Sequence, residues 1–68
     1  MTFDVMFTRT ANGGKGIVVH KKIFRVDAVN RDSAARLVVE MCMALEAEIP
    51  RKKETNVRFD VDKVVPVI

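Results

Sequence analysis

The stretch that most restricts the fold is one helix set between segments of a different period. Ala34, Leu37, Val38, Met41, Leu45 and Ile49 recur at spacings of three and four, which is one face of a 3.6-residue repeat. Asn30 is suited to cap its start, because its side-chain oxygen can accept from the orphan amides of the first turn. Asp32 places a negative charge at the positive end of the helix dipole. Pro50 has no amide hydrogen and disfavours helical geometry at Ile49, so the helix is expected to end near Glu48. Glu46 and Glu48 have the wrong sign for a helix C-terminus, and Arg51, Lys52 and Lys53 just beyond can offset them. Val39, Cys42 and Met43 fall off the stripe. The helix is therefore apolar over more than half a turn of its surface.

The flanking segments alternate with period two. Phe3, Val5 and Phe7 oppose Asp4, Met6 and Thr8, which predicts a strand over Thr2 to Arg9 with one buried face. Ala11 to Gly16 reads as a flexible reversal outside regular structure. Ile17 to Ala28 is a second extended segment that closes a hairpin with the first. Phe24, Val26 and Ala28 share one parity, whereas Ile17 and Val19 take the other, which predicts a bulge or twist near His20-Lys21-Lys22. A third strand is expected from Asn56 to Val65. It points Val57, Phe59 and Val61 inward and Arg58, Asp60 and Asp62 outward, and it ends or lies at an edge at Pro66.

The order β-β-α-β makes the helix a crossover from the second strand to the third. A right-handed crossover that skips the first strand gives the order 2-1-3, all antiparallel. The expected fold is α+β: a three-stranded antiparallel sheet with one long helix on one face, in a single domain spanning residues 1–68. The expected core joins Val26, Phe59 and Val61 to Leu37, Met41 and Leu45. The other sheet face is expected to be open and mostly polar.

Composition narrows the class. A 68-residue chain buries only about 60% of the surface that its unfolded form exposes, so its core is limited to one helix on one small sheet. With 49% hydrophobic and 31% charged residues, it is too apolar for a disordered tail. No run approaches the ~20 apolar residues of a transmembrane helix, and no leader-like apolar region opens the sequence, so a cytoplasmic location is expected. Cys42 is the single cysteine and has no partner for an internal disulfide, in keeping with a reducing compartment. The net charge of +3 is concentrated outside the helix. This is a tilt rather than the dense basic stripe of a dedicated nucleic-acid binder.

No stretch has the spacing of a catalytic or metal-binding motif, so neither enzyme activity nor a cofactor or metal is expected. Asn12-Gly13-Gly14-Lys15-Gly16 has the glycines and lysine of a phosphate loop. It leads into a strand, however, and no Ser or Thr follows the lysine, so it reads as a hairpin turn. His20-Lys21-Lys22 and Arg25 form a basic cluster on an edge strand. They are suited either to phosphates or an acidic partner or to blunting the edge against aggregation. His20 has no nucleophile near it in the sequence and reads as no general base. Arg51-Lys52-Lys53 is either an anion site or a solvated complement to the helix end. Cys42, mid-helix between methionines, reads as a packing residue. Val39 and Met43, with Cys42 between them, are candidates for a partner or dimer surface.

Two stretches resemble the small early phage proteins that inhibit host bacterial RNA polymerase. Ala28-Val29-Asn30-Arg31-Asp32-Ser33-Ala34 looks like that family's strand-to-helix junction. Phe59-Asp60-Val61-Asp62-Lys63-Val64-Val65-Pro66 is similar to its last strand, with Lys63 at the first basic position. Val65 stands where the family has a second base, and the family is acid-rich where this chain is net basic. The resemblance implies a non-catalytic phage-encoded protein in the host cytoplasm that docks on a host enzyme such as RNA polymerase and inhibits it. Its partner-binding residues would be Arg58 and Lys63 on the third strand and Lys21, Lys22 and Arg25 on the basic edge, with Val39 and Met43 as a further surface. Two other readings stay open. One is a nucleic-acid-binding module using the basic hairpin, although Phe3, Phe7, Phe24 and Phe59 all look committed to the core and leave little for base stacking. The other is a small homo-oligomer that buries Val39, Cys42 and Met43.

Overall fold

The hairpin that begins the chain is longer and more regular than its glycines suggest. The computed structural model describes residues 1–48 and 54–67. Strand β1 spans Thr2–Gly13 and β2 spans Gly16–Asp27. They pair antiparallel in one unbroken register, from Thr2 opposite Asp27 to Gly13 opposite Gly16. Ala11, Asn12 and Gly13, expected in a loop, thus belong to the strand, and Gly14 and Lys15 alone make the reversal. Gly16 leaves the turn at φ 131°, a conformation that only glycine adopts at little cost.

The bulge expected near His20-Lys21-Lys22 does not exist, since the β1–β2 register never shifts. The conflict of parity along β2 is resolved differently. Phe24 and Val26 face the helix, while Ile17, Val19 and Ile23 remain exposed.

Helix α1 spans Arg31–Glu48 and leads to β3, Thr55–Val67. The sheet order is β2-β1-β3, with both outer strands antiparallel to β1. The fold is therefore the expected α+β sandwich of one sheet and one helix. Asn30 caps α1 as its chemistry suggests: its Oδ1 accepts from Ser33 N at 2.8 Å, and its carbonyl accepts from Ala34 N at 3.1 Å. Ile49 and Pro50, the expected last core position and stop signal, lie outside the described residues.

The irregularities fall in β3. Its pairing with β1 shifts between Met6 and Phe7 and again between Thr10 and Asn12. At the first shift Asp62 is the extra residue, with Lys63 opposite Met6 and Val61 opposite Phe7. The inward parity of Val57, Phe59 and Val61 passes there to Val64 and Pro66. Near the second shift, Asn56 takes φ 53°, a left-handed conformation that asparagine tolerates better than most residues. The strand also runs through Pro66 to Val67, further than the sequence suggests. It can do so because it is an edge, where a missing amide hydrogen costs no ladder bond on the free side.

The helix is rotated toward one side of the expected stripe. Ala34 and Val38 are buried as that stripe requires, and Cys42, which falls off it, is buried with them, whereas Leu37, Met41 and Leu45, expected in the core, are 38%, 41% and 50% exposed. Volume complementarity supplies the reason. Central strand β1 turns Phe3, Val5 and Phe7 toward the helix, and all three are buried. Small residues at an i, i+4, i+8 spacing let the helix approach those rings closely, where a row of leucines would overfill the same space. Phe24, Phe59, Val61 and Val64 close the margins of this core.

The rotated setting predicts opposite outcomes for neighbouring residues. Val38→Ala removes two methyl groups from a fully buried site and should cost about 2 kcal/mol. Leu37→Ala, on the flank of the same helix, should cost less than about 1 kcal/mol. Urea unfolding monitored by circular dichroism measures both. A helix seated on Leu37, Met41 and Leu45 would reverse the ranking.

Candidate functional site

Among the described residues, a ligand or partner can reach the uncovered sheet face, the free edge of β2, and a cleft between β2 and the end of α1.

The uncovered face carries the even-numbered residues of β1 and their partners. In successive rows Asp4 lies between Arg25 and Val65, Met6 between Ile23 and Lys63, Thr8 between Lys21 and Asp60, and Thr10 between Val19 and Arg58. Four of the expected partner-binding residues, Lys21, Arg25, Arg58 and Lys63, are thus brought onto one face. Lys63 is there because of the Asp62 bulge, for an unbroken strand would have turned it toward the helix. Lys22 has the other parity and sits on the helix side of β2.

This face is less basic than the sequence suggests, and less polar. Arg25 donates to Asp4 through Nε at 2.9 Å and Nη2 at 3.2 Å, and Arg58 donates to Asp60 at 3.1 Å. Thr8 Oγ1 donates to Asp62, and Thr2 Oγ1 donates to Asp27 at 2.6 Å. The cations Lys21, Arg25, Arg58 and Lys63 thus share the face with Asp4, Asp27, Asp60 and Asp62, and the two arginines are ion-paired there. Between the charges lie Met6, Val19, Ile23 and Val65, and Ile23 is 60% exposed. The Arg25 guanidinium, by hydrogen bond first and by its charge second, holds the Asp4 carboxyl below its ordinary value. A depressed carboxylate adds stability above the ordinary carboxylate range, and that stability is lost as pH falls through the lowered value. For so exposed a pair the amount is small.

The patch expected from Val39, Cys42 and Met43 is not a continuous surface. Cys42 is buried in the core, Val39 is half-buried and Met43 alone is well exposed. Residues at i, i+3 and i+4 on a helix are neighbours, but the rotation that buries Ala34, Val38 and Cys42 draws Val39 down with them. The helix exposes its apolar surface on the Leu37, Met41, Leu45 flank instead. Burial also pushes the Cys42 thiol up from its ordinary pKa, with the Glu46 carboxylate adding to the effect.

A cleft of about 320 Å³ opens where the end of α1 meets β2. Phe7, Phe24 and Phe59 contribute ring surface to it, with Phe7 centred 5.4 Å from Phe24 and 6.2 Å from Phe59. Leu45 and Cys42 line the helix side, and His20 and Lys22 line the β2 side. At its base is a residue that sequence reasoning missed. Arg9 is only 5% exposed. Its Nε donates to Glu46 at 2.6 Å, and its Nη2 and Nη1 donate to Glu54 at 3.0 and 3.4 Å. One guanidinium thus joins β1, the last turn of α1 and the approach to β3. Both carboxylates raise the Arg9 pKa, so it stays charged throughout. Two signals in the sequence point to it. Arg9 has the inward parity of Phe3, Val5 and Phe7, and Glu46 is an acid at the helix end where a base is preferred.

Gly13 to Gly16 form a tight reversal between strands rather than the mouth of a helix, so they have no converging first-turn amides to offer a phosphate. Arg51, Lys52 and Lys53, the other expected anion site, lie outside the described residues. Among the described residues no cluster of His, Cys, Asp and Glu has the makings of a metal site, and no helix is long and apolar enough to cross a membrane. No family model, curated protein or solved structure matches this chain.

Removing the central guanidinium tests its structural weight. Arg9→Met removes the cation that Glu46 and Glu54 share, and should cost about 3 kcal/mol in a urea titration, the low end for a broken buried pair because both carboxylates keep some solvent. A loss below about 1 kcal/mol would show that the guanidinium is not what ties the helix end to the sheet.

Proposed function

We propose that this chain is a small non-catalytic interaction protein that binds another protein through its uncovered sheet face and the adjoining β2 edge. The composition of that face supports the reading. It interleaves exposed Ile23 and Val19 and half-buried Met6 and Val65 with charges of both signs, of which Arg25 is bonded to Asp4 and Arg58 to Asp60. Apolar residues within a balanced polar frame suit a protein surface, which supplies apolar area at its centre and hydrogen bonds at its rim. A phosphate backbone would require excess positive charge there. Base stacking would require aromatic rings, and all four phenylalanines serve the helix side of the sheet.

The resemblance to small early phage inhibitors of host RNA polymerase names the first partner to try. Under that reading Lys63 and Arg58 of β3 contact the enzyme, and inhibition follows from occlusion, with no chemistry on the inhibitor's part.

The test compares the chain with an Ile23→Glu variant, altered at an exposed residue on the face itself. Both are mixed with purified bacterial RNA polymerase and assayed for co-elution and for inhibition of transcription, and both are used to capture partners from bacterial lysate. A stoichiometric protein held by the chain and lost by the variant is the expected outcome. Equal retention by both would remove the uncovered face as the binding surface. Binding and inhibition of the polymerase by the wild-type chain alone would establish the phage-type reading.

A further inference from the structure

The two edges of the sheet are not equivalent. Edge strand β3 is interrupted by two register shifts and by Pro66, devices that keep a further strand from pairing. Edge strand β2 is twelve residues long and unbroken. Its outward backbone groups can be assigned. Ala28 N donates to the Met1 carbonyl at 2.8 Å, which makes residues 1 and 28 a hydrogen-bonded pair. Bonded and non-bonded pairs alternate along an antiparallel ladder. The amides and carbonyls of Val19, Lys21, Ile23 and Arg25 therefore point away from β1, toward the free edge.

A strand laid on that edge would not be exposed on both faces. On the helix side it would run beside Phe24, Lys22 and His20, next to the cleft that these residues share with Leu45. Met41 and Leu37 continue the Leu45 flank of α1 at i−4 and i−8, and all three are partly exposed. The cleft has room for one bulky side chain, at the lower end of the range for ligand pockets. On the other side the strand would run beside Ile23 and Val19. An edge, a pocket and an apolar helix flank thus coincide along one border of the molecule.

Charge decides what can fill it. Lys21 and Lys22 lie at the middle of the edge, one on each face, and form no ion pair with a described residue. A second copy pairing β2 against β2 would bring these lysines together, and like charges across a strand pair are destabilising. A segment bearing carboxylates would instead meet them on both faces.

We infer that β2 accepts an extended acidic segment of a partner protein as a fourth strand, with one bulky apolar side chain of that segment seated in the cleft under Leu45 and its carboxylates on Lys21 and Lys22. The inference rests on the interaction-protein reading and specifies the kind of partner. Main-chain bonds to the β2 edge supply affinity, and the cleft and lysines supply selectivity.

The experiment selects linear peptides of about six to ten residues, the length of an ordinary strand, from a random display library against the full chain. Enriched peptides should carry Asp or Glu on both sides of a Phe, Leu, Ile or Met. Binding should slow the exchange of the Val19, Lys21, Ile23 and Arg25 amides, which should exchange freely in the unbound chain, and should shift the methyl resonances of Leu45 and Met41. Lys22→Glu and Lys21→Glu, both at exposed positions, should each weaken the peptide by about tenfold, while Arg36→Glu, on the helix away from the cleft, should not. Four outcomes would overturn the inference: no peptide enriched, peptides without acidic residues, peptides that leave the β2 edge amides unprotected, or a doubled mass in light scattering with those amides already protected in the free chain. The last would make the occupant a second copy. A chain that captures a protein partner through Ile23 yet fails this selection would keep the proposed function and lose the strand-addition mode.

Discussion

One helix has to cover three strands that are each longer than it is. An 18-residue helix is about 27 Å long, against a molecule 41 Å in its longest dimension. With one helix and one sheet, half of the sheet's surface has no protein to lie against. Most of what is unusual here follows from that shortage. The uncovered face carries cross-strand bonds between side chains in place of a second layer. The helix seats its smallest residues on the largest ones of β1, and its larger apolar side chains are left on a flank. A cleft remains where the helix ends short of the hairpin.

Arg9 is the answer at that point. Central strand β1 continues inward-facing beyond the last phenylalanine, and its next inward residue is a cation rather than another apolar side chain. A guanidinium is well matched to the position, since its planar fork can hold two carboxylates from two elements at once. Its acceptors are Glu46, at the end of α1, and Glu54, before β3 begins. The geometry of the crossover is therefore fixed by charge at the end where the apolar core is thinnest.

The same shortage bears on function. A domain that cannot bury its own apolar surface has it available for another molecule, and the distribution of that surface is not random. The β3 edge is closed to pairing by bulges and proline, whereas the β2 edge is straight and guarded by lysines. Guarding by charge differs from guarding by shape, because it excludes a second copy and admits a segment of opposite sign.

Much of this fold is legible in the residues. Alternation over Phe3, Val5 and Phe7, the 3.6-residue repeat bounded by Asn30 and Pro50, and the topological rule for crossovers give the elements, their order and the 2-1-3 sheet. Those are properties of local chemistry and chain connectivity. Helix rotation is different. The stripe Ala34, Val38, Cys42 and the stripe Leu37, Met41, Leu45 both have helical period, and hydrophobicity favours the larger residues. Only the size of the phenylalanines on β1 selects the smaller ones. The placement of Lys63 also required the tertiary structure, because a single extra residue at Asp62 reverses the parity of everything after it. The same holds for the pairing of Arg9 with Glu46 and Glu54, residues 37 and 45 positions away in the sequence. Sequence alone thus determined which segments are strands and helix and how they connect. The three-dimensional packing decided which faces they turn to one another, because that choice depends on volumes and charges brought together from distant parts of the chain.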